Sequence, residues 1–173
     1  MRIAALVTGA VLTLVLGTAV AGGDAAAGQE GTPVEELSLQ VAGVGRGASL
    51  LACSAEGQVY PVQFAGRRGD GIDVRGVLAS DGTILAQEME VDDVEFHLRF
   101  RNGQVRLQGQ IVQVRGPVIL VLTAGGAVYQ VRFAVGAGDI VELSGYAQGR
   151  HIEATEMEIE GHSSAPSCIG PRR

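Results

Sequence analysis

Apolar and polar residues alternate along most of this chain, and glycine interrupts the alternation at short intervals. A period of two is the signature of a half-buried β-strand, and no 3.6-residue apolar stripe lasts long enough to make a helix. The clearest run of strands lies in the C-terminal half: QVRLQGQIVQV, then VILVLTA, AVYQVRFA, DIVELSGYA and HIEATEMEIE. In the third of these, Tyr129, Val131 and Phe133 share one face, and Val128, Gln130 and Arg132 share the other. The first half carries the same parity: Tyr60, Val62 and Phe64 face in, and Pro61 and Gln63 face out. In the last strand Ile152 and Ala154 follow one parity, and Met157 and Ile159 the other. Ile84, Ala86, Met89 and Val91 shift in the same way. A one-residue phase change within a strand predicts a β-bulge, here near Gln87-Glu88 and near Thr155-Glu156.

These coincidences are a repeat. GQVYPVQFAG and GAVYQVRFAV lie 69 residues apart and agree at six of ten positions. At the same offset Arg46-Gly47 meets Arg115-Gly116, and Gly76 meets Gly145. After a one-residue slip, Glu88-Met89-Glu90 meets Glu156-Met157-Glu158. A tandem duplication follows, with units at 37–92 and 93–160. They are joined by VEFHLRFRNGQVRLQGQI, in which Val94, Phe96, Leu98 and Phe100 form an apolar face. Asn102-Gly103 then supplies a type I′ hairpin turn, and Val105 and Leu107 continue the face beyond it.

Five short strands around an apolar interior resemble an OB-like barrel, although only GRRGDG and VGAGD stand where such a fold often carries a helix. The expected fold class is therefore all-β: two tandem, small, five-stranded OB-like barrels without the usual helix. IDVRGVLASDGTILAQEMEVD is more specifically similar to an uncharacterised bacterial family of exported or envelope-associated repeats. That family reads V-x-V-x-G, a D-G turn, then I-x-A-x-x-I/M. DIVELSGYAQGRHIEATEMEIE is similar but lacks the D-G turn. The resemblance implies a tandem β-barrel of the cell envelope and carries no catalytic residues over.

The ends of the chain carry targeting information. Residues 1–21 combine Arg2, an apolar stretch and the small-x-small site Ala19-Val20-Ala21, the anatomy of a secretory signal peptide. Residues 22–36 are expected to be a flexible leader and residues 161–173 a turn-rich tail. Export to the periplasm or the extracellular space follows, with no membrane span after cleavage. LLAC, at Leu50 to Cys53, has the letters of a lipobox but stands far beyond the expected cleavage site.

Charge narrows the partners. The sequence pI is near 5.0 and aromatic residues make up 4% of the chain, which argues against nucleic acid. All 13 basic residues are arginine. The expected partner is an envelope protein or a small ligand, with no cofactor. Binding is expected on strands 2 and 3 and the loops between strands 1–2 and 4–5 of an OB-like barrel, at Arg46, Gln63, Arg115, Gln130, Arg132, Arg150 and His151. No nucleophile motif accompanies Ser49 or Ser54, so the chain is expected to be non-enzymatic. The carboxylates around Glu88 and Glu156 are expected to form a solvated strand face. A second candidate is a soft-metal set of His151, His162 and Cys168, suited to copper. The two cysteines, Cys53 and Cys168, are expected to form a disulfide after export.

Overall fold

A computed structural model describes residues 31–45 and 49–164. The expected signal peptide, Arg46 and Cys168 lie outside the described residues. The described chain is all-β, and none of it is helical. No described helix is therefore long and apolar enough to cross a membrane. Eleven strands follow in order: β1 (Thr32–Val44), β2 (Ser49–Cys53), β3 (Val59–Phe64), β4 (Gly71–Leu78), β5 (Ile84–Asp92), β6 (His97–Arg101), β7 (Gln104–Arg115), β8 (Val118–Leu122), β9 (Val128–Phe133), β10 (Asp139–Gln148) and β11 (His151–His162).

β1, β2, β3, β11 and β10 close into a five-stranded barrel through the β10–β11 pairing. β4, β7, β8, β9 and β5 are linked in a second ring, closed by β5–β9. The expected division at Asp92-Asp93, with one barrel per repeat, is not what these pairings give. β1, β2 and β3 of the first repeat close with the last two strands of the second, and β7, β8 and β9 of the second close with the last two strands of the first. β3 runs parallel to β11, with Val62 opposite Ile152 and Phe64 opposite Ala154. β9 runs parallel to β5, with Val131 opposite Ile84 and Phe133 opposite Ala86. The register is the same because the duplicated strands offer the same side chains.

The two rings meet where β5 pairs antiparallel with β11, with Glu88 opposite Glu158, Met89 opposite Met157 and Glu90 opposite Glu156. A single apolar core spans both rings and includes Leu39, Val62, Ile84, Met89, Leu107, Val131, Leu143 and Met157. Both expected bulges are present. Arg75 pairs with Glu88 and Gly76 with Ala86, leaving Gln87 as the extra residue. Ser144 pairs with Glu156 and Gly145 with Ala154, leaving Thr155. Glycine is required at each bulge: a Cβ on Gly76 would collide with the Leu85 carbonyl oxygen, and one on Gly145 with the Glu153 carbonyl oxygen.

Asn102 and Gly103 both have positive φ, 51° and 79°, as a type I′ turn requires. The hairpin they form pairs β6 with β7. The apolar face ahead of that turn is less covered than its alternation predicts. Leu98 packs against the core, whereas Val94, Phe96 and Phe100 are about half exposed. β6 flanks β7 outside both rings, and the Phe100 ring lies 6.5 Å from that of Tyr129. Tyr60 and Tyr129 are half-buried at the margin of the core, while Val62, Phe64, Val131 and Phe133 are buried.

Two boundaries also move. Thr32, Pro33 and Val34 already pair with Ala147, Tyr146 and Gly145, so the leader ends before residue 32 instead of at 36. Gly161 and His162 pair with Ile140 and Asp139, so β11 runs into the expected tail. In both cases the long strand β10 supplies the partner.

Candidate functional site

The end of β1 borders a concave part of the surface. Val44, Gly45 and Leu50 border two adjoining clefts. The first, of about 460 Å³, is also lined by Leu85, Pro117, Arg132 and Phe133. The second, of about 390 Å³, is also lined by Pro61, Gln63 and His151. Strand parity explains both placements. Val131 and Phe133 fill the interior, so Arg132 between them points outward. Val62 and Phe64 do the same for Gln63. His151 precedes Ile152, which lies opposite Val62, and so it sits near Pro61 at the cleft edge.

Three of the expected binding residues, Gln63, Arg132 and His151, are therefore gathered around one strand end. The others are not brought there. Gln130 is exposed on β9 opposite Leu120. Arg115 is exposed at the end of β7 opposite Val118. Arg150 is exposed in the turn between β10 and β11.

A third cleft, of about 380 Å³, is lined by Gln63, Phe64, Arg67, Val114 and Glu153 among others. It is the counterpart of the Arg132 cleft in the other repeat. Phe64 stands for Phe133, Gln63 for Arg132, Val114 for Val44 and Glu153 for Leu85. Here Arg67 approaches Glu153 at 3.8 Å. With the Arg67 side chain 70% exposed, this ion pair adds little stability.

Of the carboxylates expected to form a solvated face, Asp92, Asp93, Glu95 and Glu160 are exposed, whereas Glu88, Glu90, Glu156 and Glu158 are half-buried and face one another across β5 and β11. Burial raises the pKa of Glu88, and Glu158 and Asp73 push it the same way against the opposing effect of Arg75. Burial likewise raises that of Glu90, with Glu156 and Asp92 adding to it. Neutralisation comes from one side of the seam. Arg75 Nη1 donates to Glu88 Oε2 at 3.0 Å, and Arg106 Nη2 to Asp73 Oδ2 at 2.7 Å. Gln108 Nε2 donates to the same Asp73 oxygen at 3.2 Å. Asp73 Oδ1 is buried without a hydrogen-bond partner. Among the described residues no group of three or more His, Cys, Asp or Glu is arranged to hold a metal ion.

The soft-metal set does not assemble. His151 and His162 stand at opposite ends of β11, eleven residues apart. At about 3.3 Å per residue, that separates them by roughly 36 Å. A strand cannot fold back on itself to unite its ends, so these two histidines cannot share an ion. His162 Nδ1 is instead 2.9 Å from Asp139 Oδ1. The third member, Cys168, lies outside the described residues. Cys53 is buried and disulfide-bonded, and Cys168 is the other cysteine in the sequence.

One duplicated polar feature escaped the 69-residue alignment. Gln110 Nε2 donates to the Gly69 carbonyl at 3.0 Å. Gln40 Nε2 donates to the Gly138 carbonyl at 3.5 Å and to the Ser163 carbonyl at 3.0 Å. Gly69 and Gly138 are equivalents, but the two glutamines are 70 residues apart. The offset changes because the connection from β1 to β2 is one residue longer than that from β7 to β8: Val44 pairs with Leu50, whereas Val114 pairs with Ile119. Sliding the alignment by one residue at the first strand is the signal that exposes the pair.

Comparison of the chain with family models, with curated proteins and with solved structures finds no match in any of the three.

Proposed function

We propose that this chain is an exported, non-enzymatic binding or structural module of the bacterial cell envelope. In this reading each strand ring is a trimmed OB-like barrel, the pair arose by duplication, and the last two strands of the repeats were exchanged. The partner is an envelope protein or a small ligand, bound around the end of β1. The observation that supports this best is the convergence of Gln63, Arg132 and His151 on two adjoining clefts that share Val44, Gly45 and Leu50. Concave surface with apolar walls and a few outward polar groups is what ligand sites are made of. The resemblance of Ile72–Asp92 to exported envelope repeats adds the location.

A thermal-shift screen of the purified protein against cell-wall fragments, glycans, nucleotides and metal ions tests it. The expected result is stabilisation by one class of organic ligand, reduced by substitution of Gln63, Arg132 or His151. Stabilisation by a metal ion alone, or turnover of any compound in the screen, overturns the proposal.

A further inference from the structure

We infer that the Arg132 cleft binds a small amphipathic carboxylate, with its anionic head on the Arg132 guanidinium and its hydrocarbon body against Leu50, Leu85 and Phe133. This rests on the binding-module reading and names the ligand class for one of its clefts. Three observations carry it. The wall is apolar: Val44, Leu50, Leu85, Pro117 and Phe133 surround a volume of about 460 Å³. Among the described residues, Arg132 is the one charged side chain lining the cleft, and no carboxylate lies within ion-pair distance of it. Its recorded electrostatic effect is a minor one, on the exposed Asp81.

The third observation is the counterpart cleft. Duplication supplied both clefts with the same phenylalanine, Phe64 or Phe133, and the same valine, Val114 or Val44. They differ in the charges they carry, and the counterpart is also lined by Arg67 and Arg68. Where the first has Arg132 the counterpart has Gln63, and where the first has Leu85 the counterpart has Glu153. The counterpart therefore offers a carboxylate of its own, already beside Arg67 at 3.8 Å. Glu153 would repel an incoming anion, and its charge would interrupt the wall that a hydrocarbon body needs. The Arg132 cleft has the opposite properties on both counts. A planar guanidinium donates two parallel hydrogen bonds to a carboxylate, which makes this head group the best match to arginine. A single cation against apolar walls selects a molecule with one charged end.

The test is calorimetric titration of the full chain with octanoate, with octylamine as the probe of opposite charge. Octanoate is expected to bind and octylamine is not. Arg132→Gln, which copies Gln63, should weaken octanoate binding by about tenfold, the loss of a charge-assisted contact. Leu85→Glu, which copies Glu153, should weaken it at least as much. Arg67→Gln, in the counterpart cleft, should leave it unchanged. Arg132 and Arg67 are exposed, so their replacement leaves the fold intact. Absence of octanoate binding, equal binding of both probes, or full-strength binding to the Arg132→Gln protein overturns the inference. A ligand from the thermal-shift screen that binds equally to the Arg132→Gln protein would retain the module and remove the carboxylate.

Discussion

Met89 and Met157 lie directly opposite each other across the β5–β11 pairing, both completely buried. They are equivalent residues of the two repeats, so the seam between the rings is built from two copies of one sequence, Glu-Met-Glu, paired with itself. This seam and the exchanged hairpins make the two rings interdependent. Removal of a buried methionine side chain leaves a cavity and costs about 2–5 kcal/mol. Met89→Ala and Met157→Ala should therefore destabilise the protein to a similar extent. In urea, each variant should unfold in a single transition with an unchanged slope. A biphasic curve in which one ring survives would show that the rings are independent.

The exchange also predicts what half the chain does. Residues 31–92 contain β1 to β5, but in the full chain β3 takes its parallel partner from β11. A fragment of this length lacks β10 and β11, and its own β4 and β5 carry the equivalent residues. Two copies of the fragment can supply each other's missing strands. Light scattering after size exclusion should therefore report a dimer, in which each copy closes the other's ring. A folded monomer would mean that each repeat closes on itself.

Much of this architecture was legible as parity. Alternation gave the strands, and the shift between Ala86 and Met89 gave the bulge that the pairing of Arg75 with Glu88 and Gly76 with Ala86 bears out. The exchange was not legible, because Ile84 and Ile152 fit equally well beside Val62 or Val131. Nor was the exposure of Phe96 and Phe100, since alternation reports which face is apolar and not whether a second layer lies on it. Of the candidate site, parity gave the outward direction of Gln63 and Arg132. Their convergence with His151 depends on the parallel β3–β11 pairing, which no local pattern encodes. The soft-metal set failed for a simpler reason: proximity to the chain's end hid the fact that both histidines belong to one extended strand.

Glycine at the bulges gives a paired prediction. Gly76→Ala and Gly145→Ala each force a Cβ into a neighbouring carbonyl of the partner strand. The backbone must move, at a cost of about 1–3 kcal/mol or more. Gly43→Ala serves as the control, since a Cβ there meets no atom within 4 Å. Its effect should stay within about 0.5 kcal/mol. Equal midpoints for all three in urea would show that the bulges tolerate a side chain.

The facing carboxylates set a pH dependence with an unusual sign. Glu88 and Glu90 have raised pKa values, chiefly through burial. A carboxyl group whose pKa is higher in the folded than in the unfolded state binds more protons when folded. Its contribution is fully present below the unfolded pKa and is lost as pH rises through the folded one. The contribution of this seam should therefore grow as the pH falls from neutrality towards the ordinary carboxylate range. Glu90→Gln, which removes a charge opposite Glu156, should raise the melting temperature at neutral pH and have less effect in acid. If the gain from Glu90→Gln were the same at both pH values, the seam would not be the titrating element.

The final prediction concerns the tail. Cys53 on β2 lies directly opposite Gln40 on β1, and the Gln40 side chain holds the Ser163 carbonyl at 3.0 Å. The last described turn of chain is thus tethered one strand away from the buried cysteine. The residues between Ser163 and Cys168 need to bridge only neighbouring strands, which lie about 5 Å apart, and extended chain advances about 3.3 Å per residue. The proposed Cys53–Cys168 disulfide is therefore within easy reach. It would close a loop of more than a hundred residues, for which the chain-entropy model gives about 5 kcal/mol of stabilisation. Alkylation of the denatured, unreduced protein should leave its intact mass unchanged, and reduction before alkylation should add two labels. Reduction should also lower the melting temperature. Gln40→Leu should preserve the disulfide while exposing it to faster reduction, because the tail loses one of its hydrogen bonds at Ser163, another running from the Ser163 N–H to the Gly138 carbonyl. Two labels without prior reduction would show that the thiols are free.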